Sequence, residues 1–312
     1  MSSLTDAIGD EGTASARAPA HAVRPFYWSV RRELWETRSI LIAPLIGAGV
    51  VLLGFLVALR GVSAVFQGDA HILVNGHAAH LPPEAFFVPS AILAALVIVI
   101  GVVVGIFFSL GALYNERRDR SLLFWKSLPI SNLVAVGAKA FVPLLVVPAV
   151  SVAVAFAGQV VMVLLETIAV LLHHGPVSMV WDNAPIIRDF PVLLFGAFAV
   201  ALWYAPIYAW MLLASAWAKR APVLWAFGIP LGLCVFEGVA FGTSNFWDLL
   251  KSRLFGGPGD AFHGPHHGAV AIDVTQIDFV GFVSDPGLWI GFAFAAACLA
   301  GAVYLRRRRE PV

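Results

Sequence analysis

Charge is scarce in this chain. Asp, Glu, Lys and Arg make up 12% of its 312 residues, while 60% are hydrophobic. A soluble domain carries about 25% charged residues, so the composition excludes an ordinary soluble fold. Cysteine is scarcer still. Cys234 and Cys298 both sit inside apolar runs, which excludes a disulfide framework and reads as two small buried residues. The lysines follow Trp125, Ala138, Ala218 and Leu250. None follows glycine, so the Gly-Lys-[Ser/Thr] cradle that holds nucleotide phosphates is missing. No H-E-x-x-H or C-x-x-C frame occurs, and no internal repeat is visible.

What is abundant is long apolar runs. A membrane-spanning helix needs about 20 mostly apolar residues. Six runs qualify, at about 40–59, 86–113, 133–165, 191–214, 222–241 and 288–305. The expected fold is therefore all-α, a six-span transmembrane domain over 40–305. The third run is overlong and holds Pro143 and Pro148, which predicts a kink or a start along the interface. Residues 1–24 are rich in Ala, Ser and Gly, and read as a disordered cytoplasmic tail without the apolar core of a signal peptide. Residues 25–39 (PFYWSVRRELWETRS) mix aromatics with arginine, as an interfacial helix does; Phe26, Val30 and Leu34 fall near one face. Residues 306–312 read as a basic cytoplasmic tail.

Lys and Arg set the orientation. With the N-terminus inside, sixteen of the twenty lie on the inner side and four (Arg60, Arg188, Lys251 and Arg253) on the outer. Both termini are then cytoplasmic. In the first outer loop, Asn75-Gly76 is a tight-hairpin signal that would set His71 across from His80. In the third, Asn245 to Phe255 reads as an outer interfacial helix, with Phe246, Leu249, Leu250 and Leu254 toward lipid.

The densest charged island before the C-terminus is Asn115 to Asn132, NERRDRSLLFWKSLPISN. Glu116, Arg117, Arg118, Asp119 and Arg120 precede Leu122, Leu123, Phe124 and Trp125, and Pro129 closes the stretch. This predicts a short amphipathic helix between spans two and three, with Glu116 and Arg120 paired four apart. A basic membrane-edge loop with snorkelling arginines explains the charges. It explains less well the large apolar residues after them, which suit the lipid interface or a partner's groove.

The pattern Glu116-Arg117, Ser121-Leu122 and Leu128-Pro129-Ile130-Ser131 resembles the cytoplasmic loop of type-2 ABC transporter permeases. Arg32-Glu33-Leu34-Trp35-Glu36-Thr37-Arg38-Ser39, running into an apolar span, is similar to that family's N-terminal interfacial helix, where Arg31, Arg32, Glu33 and Trp35 would fall. The resemblance implies the membrane subunit of an ABC exporter in a bacterial inner membrane. It would work with a second permease copy and an ATPase chain that holds the ATP and magnesium; this chain would hold no cofactor, and nucleic acid is not an expected partner. Glu116, Arg117, Arg118, Leu122, Phe124 and Trp125 would form the coupling helix, the apolar residues as knobs in the ATPase groove and the charged ones as its polar rim. Short outer or re-entrant helices are expected between Asn245 and Gly287. Family members move amphipathic compounds: peptides, antibiotics, lipids and lipid-linked glycans.

Ionisable residues inside spans are candidate substrate-path groups. Glu166 and Glu237 fall in the outer thirds of their runs, and Gln159 lies two turns before Glu166 on the same face. Eight of nine histidines lie in outer loops. His71, His80, His263 and His266 could hold zinc or copper, which keeps an outward-facing metal-dependent membrane hydrolase as the alternative. The missing metal frames favour the plainer reading, that polar residues collect in solvated loops. No catalytic residue stands out. An ATP-independent transporter is the third class, and neither half-repeats nor mid-membrane charges support it.

Overall fold

The structure is a computed structural model, described here for residues 25–61, 71–74, 77–80, 87–118, 131–172, 174, 177–183, 186–256 and 278–308. The 1–24 tail, the 119–130 part of the charged island, and His263 and His266 lie outside the described residues. Among the described residues, five helical segments are long and apolar enough to cross a membrane, and a bent pair would make a sixth if counted as one span.

Helix α1 (Pro25–Glu36) meets α2 (Ser39–Gly61) at an elbow of Thr37 and Arg38. A hairpin follows, β1 (His71–Val74) antiparallel to β2 (His77–His80). Its register pairs His71 with His80 and Val74 with His77, the pairing that a two-residue Asn75-Gly76 turn requires.

Helix α3 (Phe87–Arg118) has 32 residues. At 1.5 Å per residue it is about 48 Å long, well beyond a hydrocarbon core of about 30 Å. It therefore overruns the expected end at 113. Residues 115–118, read from the sequence as the start of a separate helix, are its last turn.

Helices α4 (Asn132–Phe141) and α5 (Val147–Leu172) are joined by one π-helical turn, Val142–Val146. Ser131 caps α4 by accepting from the Val134 amide. Pro143 and Pro148 cannot donate to the helical ladder. The wider turn absorbs this, with the Val147 N–H reaching Val142 O, so the expected kink takes the form of a π-bulge.

A short α6 (Ser178–Asn183) leads to α7 (Ile186–Trp203) and α8 (Ala205–Trp217). The fourth run, read from sequence as one helix, breaks at Tyr204 with a 46° bend. Pro206 is the cause: it has no N–H for the Leu202 carbonyl, and the chain restarts with Ile207 N–H on Tyr204 O.

Helix α9 (Pro222–Phe241) ends at Gly242, whose φ of 65° places it in the left-handed region that glycine adopts at helix ends. Helix α10 (Asn245–Phe255) turns back beside it. The short α11 (Phe279–Ser284) precedes α12 (Pro286–Arg308). Arg306 to Arg308, read as the start of a tail, form the last turn of α12.

Helices α2, α3, α5, α8 and α12 pack together. Small residues allow the close approach, as expected where lipid-like surroundings supply no hydrophobic drive between helices. A Cβ on Gly101 would stand 2.5 Å from Ser151 Oγ, and one on Gly105 would meet the Tyr208 ring at 3.0 Å and Pro143 at 3.3 Å. Helix α9 stands apart, with Ala226 its one buried residue. The N-terminus of α2 and the C-termini of α3, α8 and α12 come together at one end, here the basic end.

Candidate functional site

At the basic end a group of charges is buried inside the chain. Glu116, in the last turn of α3, is the hub. Its Oε1 lies 3.2 Å from Lys139 Nζ and 3.8 Å from Arg32 Nη1, and its Oε2 lies 3.1 Å from Arg306 Nη1. Lys139 also donates to Glu33 Oε1 at 2.7 Å, and Arg32 Nε donates to Glu36 Oε1 at 2.6 Å. Three cations (Arg32, Lys139 and Arg306) thus face three carboxylates (Glu33, Glu36 and Glu116). Among the described residues these charges balance, and they join α1, α3, α4 and α12.

Burial makes these contacts matter. Glu33, Glu116 and Lys139 are 6%, 8% and 3% exposed. Removing an ion from water costs several kcal/mol unless a partner and further hydrogen bonds offset it. Each helix contributes a charge that the others compensate, so the four must assemble in one arrangement. The apolar core beneath, with Val30, Ile40, Phe108, Val136, Leu212 and Ala302, keeps water out.

Arg117, 5% exposed, points the other way. Its Nη2 donates to the carbonyls of Ser215 and Ala218, closing the C-terminal end of α8. Cations favour that end of a helix, where carbonyls lack intrahelical donors. Ser215 Oγ returns the link, accepting from the Leu113 and Tyr114 amides at 3.0 and 2.8 Å. Of the residues expected to form a polar rim against a partner, Glu116 and Arg117 are therefore turned into their own chain, and Arg118 is exposed. Leu122, Phe124 and Trp125 lie outside the described residues.

On α1, Val30 and Glu33 face inward, and the Phe26 ring packs edge-on against Phe141 at 5.2 Å. The outward face is aromatic: Arg31 lies 5.2 Å from the Trp28 ring and 4.7 Å from the Trp35 ring. Indoles with a cation between them suit the headgroup layer of a membrane.

Of the expected substrate-path residues, Gln159 and Glu166 lie on α5 and Glu237 on α9. Gln159 is buried on α5, and its Oε1 has no hydrogen-bond partner. Glu166 is two turns away and half-buried. Glu237 is committed to local structure, accepting from Thr243 Oγ1 at 2.7 Å and from the Asn245 and Phe246 amides at 3.0 and 2.8 Å. It caps α10 from the end of α9. The same helix is held near its other end at the Tyr204 break. Arg253 lies 4.1 Å over the Trp203 ring and donates to Gly287 O at 2.8 Å, while Tyr204 donates to Leu254 O. Burial lowers the Arg253 pKa, opposed by the Asp285 carboxylate. Leu249 is exposed as expected, whereas Phe246, Leu250 and Leu254 are partly covered.

Among the described residues no group of three or more His, Cys, Asp or Glu side chains is placed to hold a metal ion. The sequence reading missed Lys139, Ser215 and Arg306 as members of the site. Lys139 carried a signal: a lysine seven residues into an otherwise apolar run needs a buried partner. Compared with protein-family profiles, curated proteins and solved structures, the chain finds no match.

Proposed function

We propose that this chain is the membrane-spanning permease subunit of an ATP-driven ABC exporter. The bent pair α7–α8 counts as one span, giving six, with the basic end and both termini in the cytoplasm. The observation that carries the reading is the placement of Glu116 and Arg117. They begin the stretch that resembles the family's coupling loop, and they tie it to α1, α4, α8 and α12 at once. A push on residues 119–130 is thereby delivered to most of the bundle instead of being lost in a surface loop. ATP hydrolysis takes place on a separate chain, a second permease copy completes the path, and the cargo is amphipathic.

The test is Phe124→Ala with Trp125→Ala, assayed for the ATPase subunit that co-purifies with this chain. Aromatic anchors at interfaces cost about 2 kcal/mol or more on truncation. The double variant is expected to insert normally yet lose most of the ATPase on purification, or to hydrolyse ATP without substrate stimulation. Wild-type values for both refute the coupling role. The His71–His80 register favours a second reading, an outward-facing metal-dependent hydrolase; tight one-to-one zinc binding, lost in His71→Ala with His80→Ala, would raise it above the first.

A further inference from the structure

A cavity of about 680 Å³ lies beside the ionic base, between α1, α3 and α4. Small-molecule sites span about 300–1,000 Å³, so it has room for a ligand. Its two ends differ in chemistry. The floor is polar, with Arg32, Glu33, Glu36, Asn115, Glu116 and Lys139. The wall is apolar, formed by Val103, Val104, Phe107 and Phe108 on successive turns of α3. From Asn115 to Val103 the helix rises about 18 Å, which on the exporter reading runs from the membrane edge into the hydrocarbon. Phe107 and Val103 are 62% and 45% exposed, so the wall opens sideways instead of closing over a core.

We propose that this cavity binds a zwitterionic amphiphile from the cytoplasmic leaflet, its headgroup on the polar floor and its chain along α3. The leaflet, and the role as cargo entry, rest on the exporter reading above. The head-to-tail gradient selects an amphiphile, and the mix of charges selects its headgroup. Among the described residues the floor carries both signs, Arg32 and Lys139 beside Glu33, Glu36 and Glu116, with one carboxylate in excess. An anionic headgroup would meet Glu36 at the mouth, and a purely cationic one would meet Arg32. A zwitterion can take both places, its ammonium on Glu36 and its phosphate on Arg32. Of the ion pairs named above, that one is the most exposed. Its members are four apart on one helix and their side chains are 23% and 54% exposed, so water screens it far more than the buried pairs.

The experiment uses the full chain in nanodiscs, without ATPase or nucleotide. Photoactivatable phosphatidylethanolamine and phosphatidylglycerol, each with a diazirine high on the acyl chain, are cross-linked in parallel and the adducts mapped by mass spectrometry. Residues 103–116 are expected to take up the ethanolamine probe about fivefold over the glycerol probe, a free-energy preference of about 1 kcal/mol, while α9 shows no preference. Val103→Trp fills the exposed wall and should remove labelling at 103–116 but not on α9. Glu36→Lys makes the floor basic and should turn the preference toward phosphatidylglycerol. Equal labelling by the two probes, or labelling of 103–116 no higher than on α9, overturns the proposal. Because no ATPase is present, the site can stand while the exporter reading falls in the Phe124/Trp125 test, and the reverse outcome is equally distinguishable.

Discussion

The two ends of the bundle are held together by different means. At the basic end, charges from four helices are buried in one another, and each depends on residues distant in sequence: Glu33 on Lys139, Glu116 on Arg306, Arg117 on Ser215. At the opposite end, the α9–α10 pair is held by a carboxylate cap, a stacked guanidinium and hydrogen bonds to backbone carbonyls, and all but one residue of α9 is at least partly exposed. A region with few buried contacts opens at lower free energy than a packed one. The basic end is thus the more tightly held, and the α9–α10 end the one that opens at lower free energy. The exporter reading proposed above would draw on this difference, and the difference can be broken by mutation from either side.

The largest effect is expected at the hub. Glu116→Ala leaves Lys139 and Arg306 buried without their shared carboxylate. Removing one member of a buried ion group costs about 3–5 kcal/mol, which should appear as a large drop in the melting midpoint of the detergent-purified protein. Glu116→Gln keeps the shape and some hydrogen bonding and should lose less. If Glu116→Ala melted like wild type, the ionic base would be a surface feature and the contrast between the ends would vanish.

A pair of glycines sharpens the same contrast. Gly105→Ala forces a Cβ against the Tyr208 ring at 3.0 Å and Pro143 at 3.3 Å. Overpacking of this kind costs about 1–3 kcal/mol. Gly228→Ala on α9 meets nothing within 4 Å and gains helix propensity, so it should be neutral or slightly stabilising. Equal losses at both positions, read from the same melting curves, would mean that α9 packs as tightly as α3.

Hydropathy made the spans legible, because the cost of exposing backbone to lipid forces long apolar helices whatever the tertiary contacts. Charge counting identified which helix ends belong together, and the structure gathers those of α2, α3, α8 and α12. The break at Tyr204 was legible in principle from Pro206, but apolar composition hides it, since hydropathy does not register a missing N–H. The ionic base was not legible. Its partners lie up to 190 residues apart (Glu116 and Arg306), and no periodicity links positions on different helices. Arg306 looked like a tail residue, and Glu116 and Arg117 like the start of a separate helix, because the sequence does not tell where an apolar helix stops when it overruns the membrane. Glu237 was read as a path residue because an acid in an apolar run draws a functional reading; its partners in the structure, the Thr243 hydroxyl and the Asn245 and Phe246 amides, carry no such signal in the sequence.

Glu237 also provides the smallest and most local effect. Its side chain is half-exposed and its acceptors serve one helix end, so its loss should not reach the rest of the bundle. Glu237→Gln keeps one acceptor oxygen and replaces the other by a donor, which cannot accept from the Asn245 or Phe246 amide. One of those two amides is then left to water at the start of α10. Hydrogen exchange should quicken at Asn245 and Phe246 and fade along the helix toward Arg253, where the contacts with Trp203 and Gly287 remain. The melting midpoint should not move measurably, and exchange at Glu33, Glu116 and Lys139 should match wild type. Were the exchange of those basic-end amides to rise as well, the two ends would be one cooperative unit, and the α9–α10 pair could not shift independently of the base.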